Sequence, residues 1–427
     1  MTQIEDFRIE LMNILRNVVK KPLRGSICRC IEKHGRTLSF PDKIARSYLR
    51  AIRVLRVKSR NMGKFISDKK LEELLEEFLF DLKYGDEARI IAEIDKYIVD
   101  FFGRLKSIQS QRHLFIMPIM HLHLTQNVNI GDNMLVNLNE QLLASLETKH
   151  SVKLRFVHKN LSQGADEMVK TNQTSVFAIV VVNAPDFEKA LELAKQKADT
   201  CLNVLRLYYS DSPFVLRDEF STTFPKKVVQ VNLDEKAYRE MHGGVNLVNV
   251  PTLNSEAIEK MEKGGFETIN RLLLKETDKL TLLQNDILTA IFWFGNAVKE
   301  ETRNMKFIKS IIALETLLIP DGGIGKREIL SKRFASILYN SASDDEKKEA
   351  FLTMKSLYDI RNSIIHSGEG YVYEDDLNQI MYWTQATIQF LLQYVEKCEN
   401  ILELIKHKFP VEEALYADLY QYTSKKG

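Results

Sequence analysis

The chain is poor in cysteine, with four in 427 residues. That excludes a disulfide scaffold and fits a reducing compartment. Glycine and proline are also sparse, at 18 and 9, which excludes a collagen-like or linker-rich chain. Charge of one sign is not in excess: 60 basic residues face 58 acidic ones, for a net +2. No global charge therefore announces a nucleic-acid or membrane partner. No apolar run reaches the roughly 18 residues of a membrane span. The N-terminus, MTQIEDFRIE, carries acids and no apolar core, so it does not read as a signal peptide. There is no G-x-S-x-G elbow, H-E-x-x-H helix or G-x-G-x-x-G loop, and no repeat at solenoid spacing. A length of 427 residues suggests two or three domains. The expectation is a cytoplasmic multidomain protein that does not enter a membrane.

What is present is unevenly distributed. Residues 1–64 hold 16 Lys/Arg against 5 Asp/Glu, whereas residues 65–100 hold 5 against 11. Arg46, Arg50, Arg53, Arg56, Lys58 and Arg60 crowd one short stretch. Such a run is either a solvated helix face paired with the acidic segment LEELLEEFLFDL or a footprint for nucleic acid, in which Arg53 and Arg56 would contact RNA.

Periodicity divides the chain into a helical start, a mixed middle and a helical end, an α+β organisation. In residues 1–105, apolar residues recur at three- and four-residue spacing near 5–20, 42–57, 68–84 and 86–102, with Ser67-Asp68 a plausible cap. The pattern changes in 106–253. HLFIMPIMHLHL and VKLRFVH alternate as strands do, SVFAIVVVNA suits a buried strand, and KKVVQVNLD and VNLVNV read as two more. Ala184-Pro185-Asp186 opens a long amphipathic helix, FEKALELAKQKADTCLNVLRLYY. This middle region is expected to regulate or to sense. Residues 254–285 form a helical connector. In 286–427, five amphipathic segments separated by PDGGIG, SASD and SGEGYVY predict an antiparallel bundle, the last helix running from about 374 to 405.

Several signals carry little. IPDGGIGKR lacks the first Gly and the Ser/Thr of a phosphate loop, having Pro320 and Arg327 there, and follows a helix instead of a strand. Cys28 and Cys30 with His34 do not make a four-ligand zinc site, and His121 and His123 have no third ligand at comparable spacing. No metal or other cofactor is expected.

Arg361-Asn362-Ser363-Ile364-Ile365-His366 is more telling. A permanent cation, an amide and an imidazole are the parts needed to cleave an RNA phosphodiester without metal. Neutral imidazole can take the proton of the attacking 2′-OH, imidazolium can protonate the leaving 5′-oxygen, and guanidinium can hold the phosphoryl oxygens as charge builds. The six-residue pattern is cheap, since Arg29 to His34 also matches it. The copy at Arg361, however, ends a helix whose apolar stripe runs through Phe351, Met354, Leu357/Tyr358 and Ile364/Ile365, with Arg361 in line with the stripe. Positions five apart on an ideal helix point about 140° apart. Arg361 and His366 can therefore meet one phosphate only if the helix loosens near Ser367-Gly368 or if two chains supply the groups together.

LETLLIPDGG, KREILSKRFASILYN and LYDIRNSIIHSGEG, in that order and spacing, resemble the HEPN superfamily and in particular its ApeA-like branch of bacterial defence proteins. The matching positions are Ala313-Leu314-Glu315, then Glu328-Ile329 with Lys332, Arg333 and Ala335, then Leu357 to Gly368. The likeness spans roughly residues 286–405. It implies a four- or five-helix bundle that forms a homodimer with a composite cleft. It also implies metal-independent endoribonuclease activity leaving 2′,3′-cyclic phosphate ends, in anti-phage defence or stress-induced growth arrest, with a phage-derived or cellular activator. Carried over, Arg361 and His366 would be catalytic, Asn362 would orient the phosphate or His366, and Glu315 would position Arg361. Lys326, Arg327 and Arg333 would add positive charge for RNA. Ser367 stands where the family more often has Gly. Some members of the superfamily lack nuclease activity, so the alternative is a non-catalytic RNA- or protein-binding module using the same bundle as a scaffold.

Overall fold

The computed structural model describes residues 2–20, 27–33, 35–63, 65–120, 122–137, 139–150, 176–211, 215–216, 227–232, 237–242, 251–368 and 370–416. The expected strands VKLRFVH and VNLVNV, together with His34 and His121, lie outside these residues. The chain is mixed α+β and separates into two compact units. One comprises Met1–Phe115 with Val181–Lys195, and the other Ile116–Val180 with Gln196–Gly427.

The first unit is built from α1 (Thr2–Asn17), the hairpin β1–β2 (Ile27–Lys33 and Arg36–Pro41), α2 (Ala45–Asn61), α3 (Asp68–Tyr84), α4 (Glu87–Ala92) and α5 (Ile94–Ser107). The expected four helices are present, the last divided in two, and the hairpin is an addition. Ser67 accepts the N–H of Lys70 and so caps α3. The core centres on aromatic rings: Phe101 stacks on Phe7 and on Phe78, at 5.9 and 4.4 Å between centroids, with Leu11, Leu55 and Leu75 fully buried around them. The basic and acidic segments meet, because α2 packs on α3, Tyr48 donates to Glu76 at 3.0 Å, and Arg56 grips Asp68 through two bonds of 2.8 and 2.6 Å.

In the second unit, β3 (Gln111–Met120), β5 (Val128–Ile130), β6 (Asn133–Asn137), β7 (Val176–Ala184) and β8 (Val215–Leu216) form a sheet in the order β5-β6-β7-β3-β8, while β4 (His123–Leu124) lies elsewhere. β3, β7 and the helix Phe187–Tyr208 that follows β7 all straddle the division between the units. α6 (Glu140–His150) follows β6. Then comes α7 (Phe187–Tyr208), started by Asp186, whose carboxylate accepts the Lys189 N–H at 2.9 Å. α7 buries Ala190, Ala194, Ala198, Cys201 and Leu205 at helical spacing. Burial pushes the Cys201 thiol up to about 12, so it is a core residue and not a nucleophile. β9 (Lys227–Asn232) and β10 (Ala237–His242) pair as a hairpin, and β11 (Thr252–Leu253) runs parallel to β4.

α8 (Ser255–Lys263) and α9 (Phe266–Leu274) lead into the bundle: α10 (Leu282–Val298), α11 (Arg303–Leu318), α12 (Lys326–Leu338), α13 (Asp344–Ser367) and α14 (Glu374–Leu391). Capping boxes at Thr281/Gln284 and Ser343/Glu346 start α10 and α13. Phe294, Phe307, Phe334, Phe351 and Ile388 are fully buried, and Phe334 lies 4.6 Å from Trp383. The predicted last helix does not continue to 405. After Leu391 the amides of Gln393, Tyr394 and Lys397 turn to carbonyls three residues back, and Asn400 caps a separate α15 (Ile401–His407). The break lets Val395 and Glu399 offer carbonyls to Gln284 Nε2 and the Leu283 amide of α10, satisfying a buried polar side chain.

α7 and α10 approach closely at Gly295, where an added Cβ would lie 2.3 Å from Asn203 Oδ1. Gly295→Ala gains helix propensity but forces these helices apart, so a net loss of about 1–3 kcal/mol is expected in urea unfolding. Burial pushes the Asp286 carboxyl of α10 from its ordinary 3.8 up to about 6. Ionisation is thus resisted only in the folded chain: the penalty is absent at about pH 3, sets in as pH rises through 3.8 and is complete above about pH 6. Asp286→Asn should raise the melting temperature at pH 7.5 and leave it nearly unchanged at about pH 3, below both values.

Candidate active site

α13 positions the pair singled out by sequence. Ala350, Phe351, Met354, Leu357 and Tyr358 form its buried stripe, and Arg361 continues it at the edge, its side chain 19% exposed. The partner that such an arginine needs comes from α11. Glu315 Oε1 lies 3.4 Å from the guanidinium and also accepts the Tyr358 hydroxyl at 2.5 Å. The guanidinium lies over the Tyr358 ring, 5.4 Å from its centroid, a cation–π contact. It also donates to Asn362 Oδ1 at 3.3 Å. Burial, then the hydrogen bond to the Glu315 carboxylate, holds the Tyr358 hydroxyl protonated well above its ordinary range. Arg361 Nε is buried without a hydrogen-bond partner among the described residues, a cost the fold carries here.

His366 is exposed. α13 stays helical through Ser367 and ends on Gly368, whose φ of 68° is the left-handed stop that glycine adopts without a Cβ penalty. The helix therefore does not loosen between Arg361 and His366, and on regular geometry the two diverge by about 140°. Regular helix geometry therefore does not by itself bring the two side chains together.

Beyond Gly368 the chain folds back. A Cβ on Gly370 would lie 2.4 Å from Ile364 Cγ1, and the Gly370 carbonyl accepts from Asn304 Nδ2 at 2.9 Å. This seats Tyr371 and Tyr373, each 66% exposed and 5.1 Å apart in an edge-to-face pair, just past the turn that carries His366. Neither tyrosine was among the expected site residues, although the run Tyr371-Val372-Tyr373 after glycine stands in the sequence.

The basic candidates separate into engaged side chains and ones that are only exposed. Arg327 donates to Glu328 at 2.8 and 3.0 Å and to Asp359 at 2.6 Å. Arg333 donates to the Leu318 carbonyl at 2.6 Å and to Asp321 at 3.1 Å, closing the C-terminus of α11. Arg56 is held by Asp68. Lys326 and Arg53 are exposed. Among the described residues no group of His, Cys, Asp and Glu could hold a metal ion, and no helix is long and apolar enough to cross a membrane. Comparison of the chain with family models, curated proteins and solved structures finds no match.

The contact between Tyr358 and Glu315 is a charge-assisted hydrogen bond between largely buried groups. Tyr358→Phe should therefore lower stability by about 1.5–3 kcal/mol, read as a lower denaturant midpoint with an unchanged slope.

Proposed function

We propose that the chain is a metal-independent endoribonuclease of the HEPN type, acting as a homodimer in which His366 of one chain works with Arg361 of the other. The observation that carries this reading is the arrangement on α13. A guanidinium is fixed by Glu315 and Tyr358, and an exposed imidazole lies five residues on along an unbroken helix. The two can act on one phosphate only across two chains. In the dimer one imidazole removes the proton of the 2′-OH as its oxygen bonds to phosphorus. The second delivers a proton to the 5′-oxygen as the P–O5′ bond breaks, leaving a 2′,3′-cyclic phosphate and a 5′-hydroxyl. Arg361 and Asn362 meet the phosphoryl oxygens. Glu315 is a positioning residue that limits the swing of the guanidinium. A role in anti-phage defence or growth arrest, under an activator acting on the α/β region, belongs to the same reading.

A second reading is favoured by one observation. Glu315 already neutralises Arg361 at 3.4 Å, so the pair also serves as a structural contact in a binding module that does not cut RNA.

Incubation of the protein and its His366→Ala variant with labelled RNA in EDTA separates the two. His366 is exposed, so the variant should keep its fold. Cyclic-phosphate ends are expected from the wild type, with cleavage by the variant at least about 10²-fold slower. Intact RNA from both, with RNA affinity retained, would instead support the binding module.

A further inference from the structure

α2 holds six cations, Arg46, Arg50, Arg53, Arg56, Lys58 and Arg60, and no carboxylate. One side of it is core: Tyr48, Ala51, Ile52 and Leu55 are buried. At 100° per residue, Arg46, Leu49, Arg50, Arg53, Val57 and Arg60 fall on the opposite side within an arc of about 100°. All six are exposed.

The six cations divide by what they meet. Arg56 is bound twice by Asp68, Arg50 pairs with Glu10 at 3.3 Å, and Lys58 lies 5.5 Å over the Phe102 ring. Arg46, Arg53 and Arg60 pair with no carboxylate among the described residues. They follow one another at seven-residue intervals, which sets them about 10.5 Å apart along one face. Three uncompensated guanidinium groups in a line repel one another, and a polyanion laid along them relieves that repulsion.

We propose that this arginine row is a second RNA contact, in a different unit from the Arg361–His366 pair, that grips the phosphate backbone without reading sequence. The choice of RNA rests on the endoribonuclease reading. The planar fork of arginine matches phosphate oxygens, and the bonds are charge-assisted. A membrane surface fits less well. An interfacial helix must turn its apolar side to lipid, and the apolar side of α2 is spent in the core, leaving Leu49 and Val57 outside.

The test uses full-length His366→Ala protein and a labelled 30-nucleotide single-stranded RNA. Replacing Arg46, Arg53 and Arg60 together by Gln should weaken binding at least about tenfold at 0.1 M salt. The slope of log affinity against log salt should become shallower by about 2, from roughly 0.7 for each of three lost phosphate contacts. Replacing the same three by Lys should preserve the slope. The paired arginines are the control: Arg50→Gln with Arg56→Gln should cost less than about threefold, since their charge is already compensated. Unchanged binding by the row variant would overturn the proposal. So would an equal loss in the control pair, or a preference for duplex DNA or phosphatidylserine vesicles over RNA. The two readings fail separately. If wild type leaves RNA intact while the row variant loses affinity, the contact stands without the nuclease. Cleavage with unaltered binding does the reverse.

Discussion

A regular α-helix advances each side chain by about 100°, and on α13 that constraint decides what the chain can do alone. Tyr358 and Arg361 are three apart and share a face, so both reach Glu315. Arg361 and His366 are five apart and do not. The capping box at Ser343/Glu346 and the left-handed Gly368 pin the two ends of the helix, and the buried stripe between them resists unwinding. The rigidity that fixes Arg361 against α11 also keeps His366 turned away from it along the same helix, and this is why the proposed chemistry calls on a second chain.

Glu315 answers two demands with one carboxylate. It compensates a guanidinium that is mostly out of water, without which the bundle edge would hold an unpaired charge. It also accepts the Tyr358 hydroxyl, which places the ring under the guanidinium. On the proposed reading, a phosphate arriving at Arg361 would meet a cation already partly neutralised by Glu315, so fixed orientation more than affinity is what the site would supply. An arginine row elsewhere, with its charge uncompensated, would then supply the affinity that the candidate active site lacks.

Local patterns were legible where local physics decides. Pro185-Asp186 announced α7, the apolar run 176–184 announced β7, and PDGGIG, SASD and SGEGYVY marked the bundle turns. Two features were not. The hairpin at 27–41 sits in a basic stretch without clean alternation and is held in part by an isolated bridge from Val19 to Ser39. The interruption after Leu391 falls within an apolar helical pattern, and the carbonyl it frees at Val395 meets the buried Gln284 of another helix. At the site, Arg361 and His366 could be read from spacing, and a likeness suggested Glu315 beside Arg361. The tyrosine completing that contact could not be read, being a matter of which helix packs against which. The basic run on α2 showed six cations but not which two are ion-paired, because Glu10 and Asp68 are brought to it by the fold.

The junction of α7 and α10 follows a different logic from the candidate site. Arg206 is fully buried and donates to Asp199 at 3.0 Å and to Asn203 at 2.5 Å, while Lys299 reaches the other Asp199 oxygen at 2.7 Å. Burial pushes the Asp199 carboxyl up, but the Lys299 hydrogen bond and the Arg206 charge outweigh it and hold it below its ordinary value. Its contribution to stability is present above the ordinary carboxylate range and is lost as pH falls through the lowered value. Two cations share one carboxylate here, so truncating Asp199 would leave both uncompensated and cost more than truncating Lys299, which is still about a third exposed. Apolar residues of equal volume could hold the helices together as well. What the charged set adds is register, since Asn203 and Asp199 on α7 meet Gly295 and Lys299 on α10 four residues apart on each helix. A slip of one turn would break every contact at once.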